Sequence, residues 1–120
     1  MAEKLLKQVI VIRKDLKMRR GKEIAQGAHA SMGFMKKLSA PNKIESEWID
    51  GGMTKICVTV DSEDELLAVA QAAKDAMLHC YVVTDAGKTE FNGVPTKTCL
   101  AVGPDCSDKI DKVTGHLRLY

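Results

Sequence analysis

The chain has 120 residues, 45% of them hydrophobic, and a formal net charge of only +2. That is the length of one domain, residues 1–120, able to bury roughly two-thirds of its unfolded surface without a metal or a disulfide. No run of about 18 apolar residues occurs, and the first residues lack the apolar core and cleavage site of a secretory signal, so neither a membrane-spanning helix nor a leader is expected and cytoplasm is the default compartment.

Val9 to Ile12 is a continuous β-branched run and reads as a strand covered on both faces. Asp15 to Leu38 follows, a basic loop that turns into a helix near Gly21. On a helical wheel Ile24, Ala28, Ser31, Met32, Met35 and Leu38 share one side, the spacing expected of a buried face. Lys22, Gln26, His29 and Gly33 share the other. A solvated face usually carries long charged residues, whereas this lane offers an ammonium, an amide, an imidazole and a gap. It is either a partly exposed polar face or a surface that holds something. Pro41 ends the helix by disfavouring helical geometry in the residue before it.

Lys43 to Asp50 shows no clear period, with Trp48 as its one large anchor, and Gly51-Gly52 is a turn. Lys55 to Val60 is a second strand. Ser62-Glu63-Asp64-Glu65 is a capping box opening a helix to about Met77, with Leu66, Leu67, Ala70, Ala73 and Met77 as its apolar stripe. His79 to Thr84 and Thr98 to Val102 are the third and fourth strands, joined by a loop. Ser107 caps a last helix that Gly115 ends. The order β-α-β-α-β-β-α predicts a largely parallel sheet between helical layers. The third and fourth strands, with no helix between them, are expected to pair antiparallel.

The small net charge hides an asymmetry. Residues 1–43 hold 11 Lys and Arg against 3 Asp and Glu, and residues 44–120 hold 7 against 13. The basic excess peaks at Arg13, Lys14, Lys17, Arg19, Arg20 and Lys22. Such a stripe on an otherwise acidic chain is either an ordinary solvated run or a seat for a polyanion. Cys57, Cys80, Cys99 and Cys106 form no C-x-x-C pair and show no metal-ligand spacing with His29, His79 or His116. Cys57, Cys80 and Cys99 lie inside apolar runs and read as small hydrophobes, and His79 and His116 read as structural.

In open α/β sheets ligands bind beyond the carboxyl ends of the parallel strands. The first strand delivers Arg13 and Lys14 to that edge and the third delivers Asp85. An antiparallel fourth strand begins there, bringing Thr98 close to Asp85. The first helix starts there with Lys22, and Gln26 lies one turn on. A carboxylate, an ammonium, a hydroxyl and an amide thus converge from four segments. Asp85-Ala86-Gly87-Lys88-Thr89 is turn chemistry on its face, and its place opposite a basic loop raises the functional reading.

Together these stretches resemble the type-2 peptidyl-tRNA hydrolases over nearly the whole chain. The residues that carry the likeness are Arg13-x-Asp15-Leu16-Lys17-Met18, Gly21-Lys22-x-x-x-Gln26-x-x-His29-Ala30 and Asp85-Ala86-Gly87-Lys88-Thr89. Thr98-x-Leu100-Ala101-Val102-Gly103-Pro104 and Ile110-Asp111-Lys112-Val113-Thr114-Gly115-His116-Leu117 extend it. The resemblance implies a three-layer α/β/α fold with a mixed four-stranded sheet, and hydrolysis of the ester joining a stalled peptide to tRNA. It matches the family's essential lysine to Lys22, its aspartate to Asp85, its threonines to Thr89 and Thr98, and its helix positions to Gln26 and His29. A homodimer would fit the family. Arg19-Arg20 depart from the family's usual Gly-Lys, and Glu90 stands where a Gln is common.

On this reading Asp85 positions or deprotonates a water, Lys22 neutralises the oxyanion, and Thr98 or Thr89 orients the water. Arg13, Lys14, Lys17, Arg19 and Arg20 hold tRNA phosphates. His29 is either a further binding residue or a packing one. No metal, cofactor or covalent nucleophile is required, and no membrane contact is expected. A non-catalytic RNA- or protein-binding module has no evident need for Lys22, Asp85, Thr89 and Thr98 together. A small-molecule esterase has no need for so basic a segment.

Overall fold

The computed structural model describes residues 5–88 and 90–120. Strand β1 (Leu6–Arg13) sits at the centre of one five-stranded sheet. The other strands are β2 (Lys55–Val60), β3 (Cys80–Asp85), β4 (Thr96–Cys106) and β5 (Arg118–Leu119), and the spatial order is β3-β4-β1-β2-β5. The helices are α1 (Arg20–Met32), continued by a 3₁₀ turn (Gly33–Lys36), α2 (Lys43–Asp50), α3 (Glu63–Asp75) and α4 (Ser107–Thr114).

Alternation along the strands sends side chains to two cores, one on each face of the sheet. Val9, Val11, Leu100 and Val102 meet Leu66, Val69 and Ala73 of α3 and Ile110 and Val113 of α4 on one face. Ile12, Cys99, Ala101 and Val83 meet Ala30 of α1 and Met18 on the other. The continuous apolar run of β1 is explained by this double cover.

The sheet is less parallel than expected, and it has five strands where four were expected. Only β1 and β2 pair in parallel. Strand β4 lies between β1 and β3 and runs antiparallel to both, so the expected antiparallel pairing of the third and fourth strands is observed. Strands β1, β2 and β3 therefore still point their carboxyl ends to one edge. The fifth strand is two residues long, beyond the reach of a periodicity argument. Helix α2 is the other addition. The Asn42 side chain accepts from Glu45 N at 2.8 Å and Glu45 Oε1 accepts from Asn42 N at 2.9 Å, a reciprocal cap that the weak apolar pattern of residues 43–50 had hidden.

Two buried faces and one cap differ from the sequence reading. Helix α1 buries Gln26, Gly27, Ala30 and Ser31, and leaves Ile24, Met32, Met35 and Leu38 exposed. Ser31 donates to Gln8 Oε1 at 2.6 Å, and Gln8 Nε2 returns a bond to Ser31 O at 2.9 Å, so the buried polar pair is satisfied. In α3 the buried row is Leu66, Val69 and Ala73, with Leu67 and Met77 in solvent. Ser62 caps Glu65 N as expected, while Glu65 Oε2 takes Asp61 N rather than the cap's own N–H. Ser107 is the first residue of α4 and does not cap it; Cys106 holds the cap position without a side-chain bond.

Candidate active site

The carboxyl ends of β1 and β3 and the N-terminal end of α1 share one rim. There Lys22 Nζ lies 2.8 Å from Asp85 Oδ1, with the two side chains only 17% and 12% exposed. The residues are 63 apart in the chain. Lys22 falls in the first turn of α1, where the helix dipole disfavours a cation and favours an anion. The carboxylate of Asp85 supplies that anion.

Asp85 is held from both oxygens. Its Oδ2 accepts from Gly87 N at 2.9 Å, closing a short turn at the end of β3. Gly87 has φ +81°, and a Cβ there would come within 2.4 Å of Val94 O. The Asp-x-Gly sequence therefore shapes the loop and fixes the carboxylate at once. The hydrogen bond from Lys22 does most to hold the Asp85 pKa below its usual value. Partial burial opposes it, and the Gly87 N–H and the charges of Lys22 and His29 assist.

Beneath this pair lies a second contact. Thr98, on β4, is fully buried and donates to Gln26 Oε1 at 2.5 Å. Cys99 Sγ reaches Gln26 O at 3.3 Å. The amide one helical turn after Lys22 is thus fixed from below by the sheet. Burial raises the Cys80 and Cys99 thiols to about 11, so neither is a thiolate at neutral pH. Among the described residues, no group of three or more His, Cys, Asp or Glu side chains is placed to hold a metal.

The remaining expected residues separate into two sets. His29 is exposed and lines a groove together with Asp85 and Gln26. Lys17, Arg19 and Arg20 are exposed around the start of α1, and Lys14 is exposed just after β1. Arg13 differs from the rest. Its guanidinium forks onto Asp15 at 3.1 and 2.6 Å and donates to Lys97 O at 3.0 Å, so it braces the loop and is not open to a phosphate. Thr89 lies outside the described residues. Sequence reasoning did not anticipate that Glu90 would accept from Arg19 Nε at 3.1 Å; a lone acid facing a cluster of cations was the available signal.

Comparison with known proteins gives the family of the chain. The model of the family "Peptidyl-tRNA hydrolase PTH2" matches residues 6–120. A peptidyl-tRNA hydrolase of Methanothermobacter thermautotrophicus is 47% identical over 95% of this chain and 99% of its own length. One from Methanocaldococcus jannaschii is 41% identical over 95% of this chain and 99% of its own. A Drosophila melanogaster protein named probable peptidyl-tRNA hydrolase 2 is 40% identical over 94% of this chain, which spans 61% of that protein. A solved structure of an Agrobacterium protein of unknown function shares the fold alone, with a TM-score of 0.63 at 11% identity over 96% of this chain and 97% of that one. A likeness that runs nearly end to end and includes every segment of the rim has one consequence: the chain belongs to the type-2 peptidyl-tRNA hydrolase family.

Proposed function

We propose that this chain hydrolyses the ester between a peptide and the 3′-terminal ribose of tRNA, with Lys22 and Asp85 as the catalytic pair. Peptidyl-tRNA hydrolase activity is what the family and the full-length relatives support. The observation that carries the residue assignment is the 2.8 Å contact between two groups from distant segments at the ligand-binding edge of the sheet.

Asp85 is ionised at neutral pH, and its lowered pKa makes it a weak base while Lys22 is bound to it. Its unshared lone pairs orient a water toward the ester carbon. As the carbonyl oxygen becomes an oxyanion, the Lys22 ammonium turns toward it, and Asp85 gains basicity at the moment it takes the water's proton. The intermediate then collapses, the bond from the acyl carbon to the ribose oxygen breaks, and that proton passes from Asp85 to the leaving oxygen. Thr98 acts through Gln26, since its own hydroxyl proton is committed there. Thr89 keeps its role as a water-orienting hydroxyl on the strength of its motif alone. Lys14, Lys17, Arg19 and Arg20 hold phosphates, contacts that position the tRNA and carry little sequence information. A substrate made on ribosomes places the work in the cytoplasm.

Incubation with an N-acetylaminoacyl-tRNA should release deacylated tRNA. Lys22→Ala and Asp85→Ala should each lower the rate by about a hundredfold or more while the circular dichroism spectrum is unchanged. Wild-type rates in both variants would remove the pair from the chemistry.

A further inference from the structure

A groove of about 590 Å³ opens beside the catalytic pair and runs between β3 and the flank of α1 and its 3₁₀ turn. Asp85 and Gln26 line its near end. Tyr81 and Lys36 close its far end, with Lys36 Nζ donating to Tyr81 Oη at 2.9 Å. Gly33 lets the Tyr81 ring in, since a Cβ there would lie 2.0 Å from it. Met32 and Met35, both more than half exposed, line the stretch between.

The charges divide along α1. Arg19, Gly21, Lys22 and Glu90 line a separate cleft at the N-terminal end of the helix. The groove follows the helix the other way, from Gln26 toward Lys36, and among the described residues the ionisable groups that line it are Asp85, His29, Lys36 and the Tyr81 phenol. A molecule that is polyanionic on one side of an ester and near-neutral on the other would be sorted by this division.

We infer that the groove holds the esterified peptide, leading away from the ester along β3 while the tRNA phosphates lie at the α1 N-terminal end. The assignment rests on the hydrolase reading above. Four residue steps separate Asp85 from Tyr81, about 13 Å at ~3.3 Å per step, so about four extended peptide residues fit. Methionine side chains repack around varied partners, as a substrate of no fixed sequence requires. Strand β3 is the sheet's edge, with no strand paired to its outer side among the described residues, and so can offer backbone bonds indifferent to peptide sequence.

The test compares kinetics on N-acetylaminoacyl-tRNA and on an N-acetylpentapeptidyl-tRNA. Met35→Glu should raise KM for the longer substrate by about three- to tenfold, the loss of one part-buried apolar contact, and Met35→Ala by less. KM for the shorter substrate should move by less than about twofold, which also reports an intact fold. Ile24→Gln, on the other flank of α1, should leave the ratio between substrates unchanged. An unmoved ratio in both Met35 variants, or a ratio moved by Ile24→Gln, overturns the assignment while leaving the hydrolase reading in place. If the unmodified chain cleaves neither substrate, the hydrolase reading fails and the groove assignment fails with it.

Discussion

A lysine in the first turn of a helix works against the dipole, so α1 gains nothing by itself from Lys22. Its partner Asp85 gains from the lysine's hydrogen bond above all, and its lowered pKa records this. The sign follows directly. A carboxylate whose folded pKa is depressed stabilises the fold above its unfolded pKa, and that contribution is lost as pH falls through the lower, folded value. Lys22→Met removes the largest lowering influence and leaves partial burial, which raises the pKa. The acid limb of kcat/KM and the midpoint of acid unfolding should therefore both shift to higher pH, read from a pH–rate profile and an acid titration of circular dichroism. Thr98 makes a second case. Thr98→Val leaves Gln26 Oε1 without its donor and should lower kcat by about tenfold, and Thr98→Ser should restore most of it. The sequence brings Thr98 to the edge where β3 ends, but only the fold shows that its hydroxyl donates to the Gln26 amide.

Helix α1 shows what hydrophobic period can and cannot decide. The wheel picks out two lanes, but the buried row lies between them: Gln26 of one and Ser31 of the other join Gly27 and Ala30, because close approach to the sheet selects small residues and satisfied polar groups over Ile24 and Met32. The lane of Lys22, Gln26, His29 and Gly33 was legible as unusual, and it faces β3 and β4: Lys22 meets Asp85, Gln26 meets Thr98, and Gly33 admits Tyr81. Helix α2 was hidden because its signal is a cap and not a stripe. Asn42→Ala should cost about 1 kcal/mol. Trp48→Ala should cost about 3–4 kcal/mol, since Trp48 is 4% exposed and packs edge-on to Phe34 at 5.8 Å. Urea unfolding distinguishes the two, and equal effects would mean that α2 is held by something other than its core anchor.

Over the whole molecule, the uneven charge is what suits it to a polyanion. With Arg13 taken by Asp15, the exposed cations Lys17, Arg19 and Arg20 cluster around the start of α1, Arg19 with Glu90 on its Nε. Neutralising Arg19 and Arg20 together should raise KM for tRNA substrates with kcat nearly constant. Glu90→Gln should do the reverse, because it releases Arg19 from an exposed pair that contributes little to stability. Each lost phosphate contact should flatten the dependence of log KM on log salt by roughly 0.7–0.9. Charge bias and ordered motifs were readable from sequence; which cations the fold engages internally was not, since that depends on how Asp15 turns back onto Arg13 and on Glu90 meeting Arg19 from a distant segment. The most direct test of the central claim is a double-mutant cycle on N-acetylaminoacyl-tRNA hydrolysis. If Lys22 and Asp85 act as one unit, the double variant Lys22→Ala, Asp85→Ala should be no slower than the worse single variant, within about threefold. Rate losses that simply multiply would show two independent residues and contradict the shared site.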